Sequence, residues 1–312
     1  MNSATDKPKI VVICGPTAIG KTTVAIDIAQ KINGEIISAD SMQIYRYMDI
    51  GTAKPTVEER VKVSHHMIDM IDPDELFDAA RFSDLARKRV LEIQNRGAVP
   101  YVVGGTGLYI KSLIHGMFQT RPVDPAIRER LKAEAERFGS KYLHQRLREY
   151  DRDTAAKLHP NDAYRIIRAL ETVEATGKSI SDYHREHKFG ETPFHVLKIG
   201  LAMERHLLYD RINHRVDAMI QKGLLGEVKS LLRKGFSPDL KSMQSIGYRH
   251  MVDHLQTRLP WDECIRTMKR DTRRYAKRQL TWFNADSEMV WKEQHQIREI
   301  ALLIEDFLGN SI

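Results

Sequence analysis

The sequence is poor in the features that mark secreted, membrane-bound or zinc-dependent proteins. It has two cysteines, Cys14 and Cys264, in 312 residues, too few for a disulfide framework or a zinc site. No apolar run approaches the roughly 18 residues of a membrane helix. The first residues are polar and lack the apolar core of a signal peptide. We therefore expect a cytoplasmic protein that does not associate with membranes.

Two further absences concern nucleotide chemistry. The sequence has no Asn-Lys-x-Asp guanine motif, which argues against a GTPase. Residues 100–103 have a strand pattern, but the aspartate with which many ATPases hold Mg²⁺ does not follow them. The segment 104–107, Gly-Gly-Thr-Gly, stands there and lets backbone approach a ligand closely while offering a hydroxyl group.

The most specific motif present is a glycine-rich segment that matches G-x-x-x-x-G-K-[ST]. It comprises Gly15, Pro16, Thr17, Ala18, Ile19, Gly20, Lys21 and Thr22. The motif lies between an apolar run and a helical pattern, so a buried strand is expected to feed a turn and a helix N-terminus. The backbone N–H groups of such a turn, together with Lys21, hold a diphosphate or triphosphate. Thr22 would place its hydroxyl on a bound Mg²⁺. The alternative is a glycine-rich turn without a ligand.

Asp40 follows the next predicted strand, residues 35–38. In a doubly wound sheet the catalytic groups gather at the carboxyl ends of the strands, around the phosphate loop. The simpler interpretation is a loop carboxylate or a helix N-cap, but the position favours a functional role. Further on, Lys54 is either a phosphate or RNA contact or a solvated lysine, and the sequence does not separate these interpretations.

Basic residues are concentrated in two predicted helices of the C-terminal third. Arg211 and Arg215 lie one turn apart and form either an arginine clamp on phosphates or ion pairs with neighbouring aspartates. The helix at 265–279 carries seven basic residues and one acid. Its apolar stripe lacks the large side chains of a membrane anchor, so nucleic-acid phosphate is the favoured partner. The net charge of +7 agrees with a polyanionic partner.

Strand patterns occur on both sides of a segment in which only helical patterns are found. Asp124 and Pro125 open the first of these helices as N-cap and first helical residue. We therefore predict an α/β fold with a P-loop NTPase-like parallel sheet core and an inserted all-helical domain. The core comprises residues 1–117 and 193–312, with basic helices towards the C-terminus, and the insertion comprises 118–192.

Five blocks of the sequence, in order, resemble the bacterial tRNA dimethylallyltransferase family, also called tRNA isopentenyltransferase or IPP transferase. They are residues 15–22, 38–45, 48–55, 104–109 and 247–249. The resemblance implies transfer of a dimethylallyl group from dimethylallyl diphosphate to the exocyclic N6 amine of the adenosine 3′-adjacent to the anticodon. Diphosphate would then be the leaving group, Mg²⁺ the cofactor, and the anticodon stem-loop of tRNA the partner. We expect a monomer.

The resemblance also implies roles for individual residues. Asp40 would act as general base, and Thr17 and Arg215, with Lys21 and Thr22, would stabilise the departing diphosphate. The implied tRNA contacts are Asp40, Ser41, Met42, Gln43, Thr106, Arg128, Tyr164, Arg165, Ile166, Ile167, Arg168, Ser245, Ile246, Gly247, Tyr248, Arg249, His250, Thr272, Arg273, Arg274, Tyr275, Ala276, Lys277, Arg278 and Gln279. Ile19 departs from the family, which usually has a small polar residue there.

Two other functions are compatible with parts of this sequence. An ATP-dependent small-molecule kinase would use the same glycine-rich loop. A nucleic-acid-binding module without catalysis would use only the basic helix. Whether ATP or GTP also binds the loop is left open by the motif itself.

Overall fold

The computed structural model describes residues 7–117, 124–187 and 193–309. The strands in these ranges are β1 (Lys9–Cys14), β2 (Gly34–Ser38), β3 (His65–His66), β4 (Val99–Gly104), β5 (His195–Ala202) and β6 (Val290–Glu293). The helices are α1 (Lys21–Ala29), α2 (Val57–Lys62), α3 (Ala79–Asn95), α4 (Gly107–His115), α5 (Pro125–Phe138), α6 (Ser140–Tyr150), α7 (Arg152–Lys157), α8 (Ala163–Thr176), α9 (Ile180–His187), α10 (Arg205–Gln221), α11 (Leu224–Arg233), α12 (Tyr248–Leu255), α13 (Trp261–Phe283) and α14 (Ile297–Leu308). Of the helices described, none is both long and apolar enough to cross a bilayer.

The six strands form one parallel sheet in the order β3-β2-β4-β1-β5-β6. Strand β1 is central, and Cys14 at its end pairs with Gly104 of β4 and Gly200 of β5. On the other side of β4, Ser38 of β2 pairs with Val103. The carboxyl ends of β2, β4 and β1 therefore lie side by side, and the three loops that follow them meet at one edge of the sheet. This arrangement confirms the predicted P-loop-like α/β fold.

The sheet is held by apolar residues that are buried on both of its faces. Strand β1 is a continuous apolar run rather than an alternating one, as expected for a central parallel strand. Val11 and Ile13 pack in one cluster with Ile28 of α1, Ile212 of α10 and Ile304 of α14. Each fully buried aliphatic side chain contributes about 1.5–3 kcal/mol to folding. The rigid sheet fixes the starting point of each site loop.

The chain forms two compact units, residues 1–114 with 192–312, and residues 115–191. The division falls close to the predicted boundaries at 118 and 193. In the second unit, α5 begins after the N-cap Asp124 and ends at Gly139, and α8 begins after the N-cap Asp162. Its helices α5 to α9 enclose a small core of their own. That core contains Leu131, Leu143, Leu147, Ala155, Ile166, Ile167, Ala169 and Leu170.

Candidate active site

The glycine-rich loop between β1 and α1 has left-handed backbone at three positions. The φ angles are 145° at Gly15, 66° at Ala18 and 97° at Gly20. Such a backbone turns successive N–H groups towards one side, where they bind an anion. Lys21 folds over the loop and donates from Nζ to the Pro16 carbonyl at 2.8 Å. The loop is therefore shaped as a phosphate cradle.

The side chain of Ile19, which departs from the family pattern, is fully buried in the core. At this position only the backbone N–H group can contact a phosphate bound by the loop. The departure therefore leaves the cradle of N–H groups intact.

A cavity of about 430 Å³ lies against the loop and gathers residues from distant parts of the sequence. The predicted catalytic residues Thr17, Asp40 and Arg215 all line it. The remaining lining residues are Ala18, Gly20, Lys21, Thr22, Thr23, Gln43, Ala53, Pro55, Glu59, Val103, Gly104, Arg211, Tyr275, Gln279 and Gln294. Asp40, Lys21 and Arg215 therefore face one common space.

The electrostatics of this cavity favour an anionic ligand. Burial, and then the charge of Arg215, lower the pKa of Lys21 to about 8, although Asp40 opposes the shift. Burial likewise lowers the pKa of Arg215, again against the influence of Asp40. Both cations are thus desolvated, and Asp40 is the carboxylate that acts on both of them. A diphosphate entering the cavity would supply the negative charge that stabilises both.

Asp40 is oriented by its own loop. Its Oδ1 accepts hydrogen bonds from the backbone N–H groups of Met42 at 2.8 Å and Gln43 at 3.4 Å. This is an Asx-type turn, so the interpretation as a structured loop carboxylate is correct in part. The same residue lines the cavity, so the turn also presents the carboxylate to a ligand.

Gln279 of α13 links two of the site loops. Its Oε1 accepts from the Thr17 N–H at 2.8 Å, and its Nε2 donates to the Gly105 carbonyl at 2.9 Å. A Cβ at Gly105 would lie 2.2 Å from Nε2, so glycine is required for this approach. Gln279, which the resemblance implies to be a tRNA contact, is a buried brace for the phosphate loop in this structure. In the sequence, the only signal for this role is that Gln279 follows Tyr275 by four residues and so lies on the same, inward face of the helix.

Lys54 fits neither interpretation that the sequence left open. Its side chain is 2% exposed, and Nζ donates to the Tyr45 carbonyl and to the carboxylates of Asp49 and Asp69. A buried ammonium group satisfied in this way is an anchor for the loop that precedes it. Lys54 is therefore not a phosphate contact, an RNA contact or a solvated lysine in this structure.

Glu227 of α11 is a second anchor that the sequence analysis missed. Its carboxylate accepts the backbone N–H groups of Asp49, Ile50 and Gly51 at 2.8–3.1 Å. Tyr248 donates its hydroxyl to the same carboxylate at 2.6 Å. The segment 49–55, which supplies Ala53 and Pro55 to the cavity, is thus fixed from two sides.

Several side chains of the implied tRNA contacts are buried and do not reach the surface. They are Ile166, Ile167, Tyr248, His250, Ala276 and Gln279. A contact strip read as consecutive residues of a helix includes positions that point into the core, because a helix turns every 3.6 residues. These side chains are enclosed in this structure, and Gln279 faces the cavity and not the outer surface. Tyr164 (76% exposed) and Arg165 in α8, and Lys277 and Arg278 in α13, do face solvent.

The basic excess of α13 is smaller than the sequence suggests. Lys269 pairs with Asp217, and Arg266 with Glu263. Asp271 pairs with three arginines, Arg249, Arg270 and Arg274. The C-terminal half of the helix keeps the exposed cations Lys277 and Arg278.

The parallel sheet, the glycine-rich loop and the cationic cavity together define a P-loop-like protein. Its site presents a carboxylate from the β2 loop, and Gly-Gly stands where an ATPase would carry a Mg²⁺-binding aspartate. A family model described as IPP transferase matches residues 43–286. The chain belongs to the IPP transferase family.

Known proteins resemble this chain over nearly its whole length. The tRNA dimethylallyltransferase of Desulfosudis oleivorans is 50% identical over 303 residues, 97% of this chain and 96% of that protein. The full-length tRNA isopentenylpyrophosphate transferase of Bacillus halodurans superposes with a TM-score of 0.73 at 44% identity, covering 97% of each chain. A eukaryotic dimethylallyltransferase acting on tRNA gives a TM-score of 0.80 at 31% identity, covering 97% of this chain and 80% of that one.

Proposed function

We propose that this chain transfers the dimethylallyl group of dimethylallyl diphosphate to the N6 amine of the adenosine 3′-adjacent to the anticodon in tRNA. Relatives that are about half identical over nearly the full chain are tRNA dimethylallyltransferases. The observation that carries the proposal is the shared cavity of Asp40, Lys21 and Arg215. A carboxylate beside a desolvated anion cradle suits the transfer of a carbon group away from diphosphate.

Asp40 serves the amine side of this reaction. The bond between N6 and C1 of the dimethylallyl group forms while the bond from C1 to the diphosphate oxygen breaks, and N6 loses one proton. An aromatic amine is a weak nucleophile, so a positioned base that accepts this proton accelerates the step by about 10²–10⁴-fold. Because the N–H group of Met42 engages Oδ1, Oδ2 is the oxygen that takes the proton.

The phosphate loop serves the leaving group. Negative charge grows on the bridging oxygen as the C1–O bond lengthens, while positive charge develops on the allylic carbon. Thr17, Lys21, Arg215 and the loop N–H groups bind the diphosphate and stabilise this oxygen. In a desolvated cavity such fixed donors are worth far more than in water. The diphosphate leaves intact and no phosphoryl group is transferred. The site therefore needs no acceptor group in line with a phosphorus atom.

The donors in the cavity fit Mg²⁺ only together with the diphosphate. Within the described residues no group of three or more His, Cys, Asp or Glu side chains is arranged to hold a metal ion. Mg²⁺ takes hard oxygen ligands and commonly keeps several waters, so the Thr22 hydroxyl and the diphosphate oxygens would hold it. When bound, the ion would neutralise part of the diphosphate charge.

RNA would be bound by exposed groups of the helical unit and by exposed groups of α13 in the first unit. Tyr164 and Arg165 of α8 offer a stacking surface and a phosphate partner, and Lys277 and Arg278 of α13 offer further cations. The target adenosine has to leave the anticodon stack to reach Asp40, which costs a few kcal/mol. We expect the protein to act as a cytoplasmic monomer, without a membrane.

The test is an incubation of the protein and Mg²⁺ with dimethylallyl diphosphate labelled in the isoprenoid, ATP labelled in the γ-phosphate, an anticodon stem-loop RNA and a mixture of small-molecule metabolites as phosphate acceptors. We expect the isoprenoid label on the RNA and release of one diphosphate per label. A matched RNA with guanosine at the target position should remain unlabelled. Transfer of γ-phosphate to a small molecule, with unlabelled RNA, would establish the kinase instead.

A further inference from the structure

We infer that Thr106 is a positioning residue for Asp40. The inference rests on the proposed function, because Asp40 is the base in that reaction. It assigns Thr106 a different role from the one that the resemblance implies. Thr106 forms hydrogen bonds to the residues on both sides of Asp40 in the sequence.

Thr106 holds the two residues that flank Asp40. Its backbone N–H donates to the Ala39 carbonyl at 3.1 Å. Its Oγ1 accepts from the Ser41 N–H at 3.0 Å. The peptide groups before and after Asp40 are therefore both attached to one residue of the neighbouring loop.

These two bonds continue the pairing between strands β2 and β4. The ladder ends with Ser38 opposite Val103, and the Ala39 N–H then donates to the Val103 carbonyl at 2.8 Å. The two chains are so close here that a Cβ at Gly104 would lie 2.1 Å from the Ala39 carbonyl oxygen. The strand pairing ends beyond this point. The Thr106 side chain then supplies the acceptor for the Ser41 N–H that a backbone carbonyl would supply in a continuing strand pair.

The hydroxyl of Thr106 also lies beside Tyr275, which lines the cavity with Asp40. A hydroxyl has one proton and two acceptor lone pairs, so it can serve a second neighbour while its oxygen accepts from the Ser41 N–H. Burial, and then the Asp40 charge, raise the pKa of Tyr275 to about 12, and a side-chain hydrogen bond with Thr106 opposes this rise.

The consequence is a loss in the chemical step, not in RNA affinity. Removing the hydroxyl frees the peptide group of Ser41 and lets the carboxylate move relative to the amine. A misplacement of about 1 Å costs up to about 10²-fold in rate. We therefore expect Thr106→Val to lower the single-turnover rate at saturating substrates about 10- to 100-fold, with the Kd for RNA within about twofold of wild type.

Two variants accompany Thr106→Val in the experiment. Thr106→Ser keeps the hydroxyl and should react within about threefold of wild type. Thr257→Val is the matched control, because the exposed Thr257 hydroxyl donates to the carbonyl of its neighbour Gln256 and lines neither the cavity nor the basic half of α13. It should leave rate and affinity unchanged. Rates come from isoprenoid label on RNA and affinities from filter binding.

Three results would overturn the inference. The first is a weaker Kd for RNA in Thr106→Val with an unchanged rate at saturating RNA, which makes Thr106 an RNA contact. The second is wild-type behaviour in both measurements. The third is a serine variant as slow as the valine variant, which makes the methyl group the important part.

Thr106→Ala tests the same idea if Thr106→Val does not fold. It also removes the hydroxyl that accepts from the Ser41 N–H, and we expect a rate about 10- to 100-fold lower with unchanged RNA affinity. A wild-type rate in this variant contradicts the inference. The proposed function fails separately, because in that case the wild-type protein does not label RNA at all.

Discussion

The cavity of the first unit and the surface of the helical unit treat their charges in opposite ways. In the helical unit the arginines are largely neutralised: Arg128 and Arg168 both pair with Glu171, whose side chain is 3% exposed. In the cavity, burial lowers the pKa values of Lys21 and Arg215, and the charge of Asp40 opposes this shift only in part. The first arrangement stabilises the fold, and the second favours the binding of an anion.

The two arrangements contribute to different free energies, one to folding and the other to ligand binding. Ion pairs on a helical surface contribute about 0–1 kcal/mol each and keep the helices in register. Desolvated cations without enough negative charge gain far more from an incoming phosphate than exposed ones do. We therefore expect substitutions in the cavity to change the reaction, and substitutions on the helical surface to change RNA affinity.

The largest effect is expected for Asp40→Asn. The amide keeps the shape of the side chain but cannot accept the N6 proton, so the single-turnover rate should fall by about 10³-fold. RNA affinity should stay within about twofold, because the cavity and not the surface has changed. The measurement is isoprenoid transfer to an anticodon stem-loop beside a binding titration. Loss of RNA binding equal to the loss of rate would show that Asp40 is only a binding residue.

The next effect is expected for Arg215→Gln. Removal of one donor to a developing anion typically costs about 10²–10³-fold in rate, and kcat/KM for dimethylallyl diphosphate should fall by about that factor. Arg233→Gln, at an exposed position near the end of α11, is the matched control and should behave as wild type. A fall confined to RNA affinity would contradict the assignment of Arg215 to the diphosphate.

The third effect is a pH dependence of diphosphate binding. The pKa of Lys21 is about 8 in the free site, so the ammonium loses its proton as the pH rises through that value. The negative ligand stabilises the charged form, and the Kd for dimethylallyl diphosphate should therefore be flat below pH 7 and about tenfold weaker at pH 9. Calorimetric titration measures it. Lys21→Arg keeps its charge over this range and should lose the pH dependence. If the Kd of this variant still rises between pH 7 and pH 9, a group other than Lys21 causes the dependence.

Lys21 has the opposite influence on folding stability. Its pKa in the folded protein lies below the ordinary value of 10.5, so the unfolded chain binds more protons between about pH 8 and 10.5. The contribution of Lys21 to the free energy of unfolding therefore rises with pH across that window. Binding and stability thus change in opposite directions with pH, which separates a loss of ligand affinity from unfolding.

Local patterns in the sequence were enough to predict the sheet and the phosphate loop. The apolar run before Gly15 and the helical spacing after Thr22 are determined within a few residues, so each is visible without tertiary information. Asp40 was found because the position after a strand end has a meaning in any doubly wound sheet.

Long-range polar contacts were beyond the reach of sequence analysis. Thr17 and Gln279 are 262 positions apart, and nothing near either residue indicates the other. Glu227 is an ordinary helical acid in the sequence, and its three backbone partners arise only from tertiary packing. Lys54 was misread for the same reason, because its carboxylate partners become neighbours only on folding.

The smallest effect is expected on the helical surface, at Arg165. Its side chain is 69% exposed and pairs with Asp162 at 2.9 Å, so Arg165→Ala should change the free energy of unfolding by less than about 1 kcal/mol. Loss of one phosphate contact should weaken RNA binding about three- to tenfold and lower the slope of log Kd against log salt by about one. The rate at saturating RNA should be unchanged.

Tyr164→Ala, one position earlier, distinguishes charge from stacking on the same helix. Loss of an aromatic platform weakens binding by about 1–3 kcal/mol per stacked base without changing the salt dependence. If both variants change the slope of log Kd against log salt equally, the exposed face of α8 attracts RNA through its overall charge and not through individual contacts. If neither changes the affinity, the paired arginines of this unit serve its own fold, and RNA binding falls to the cations of α13.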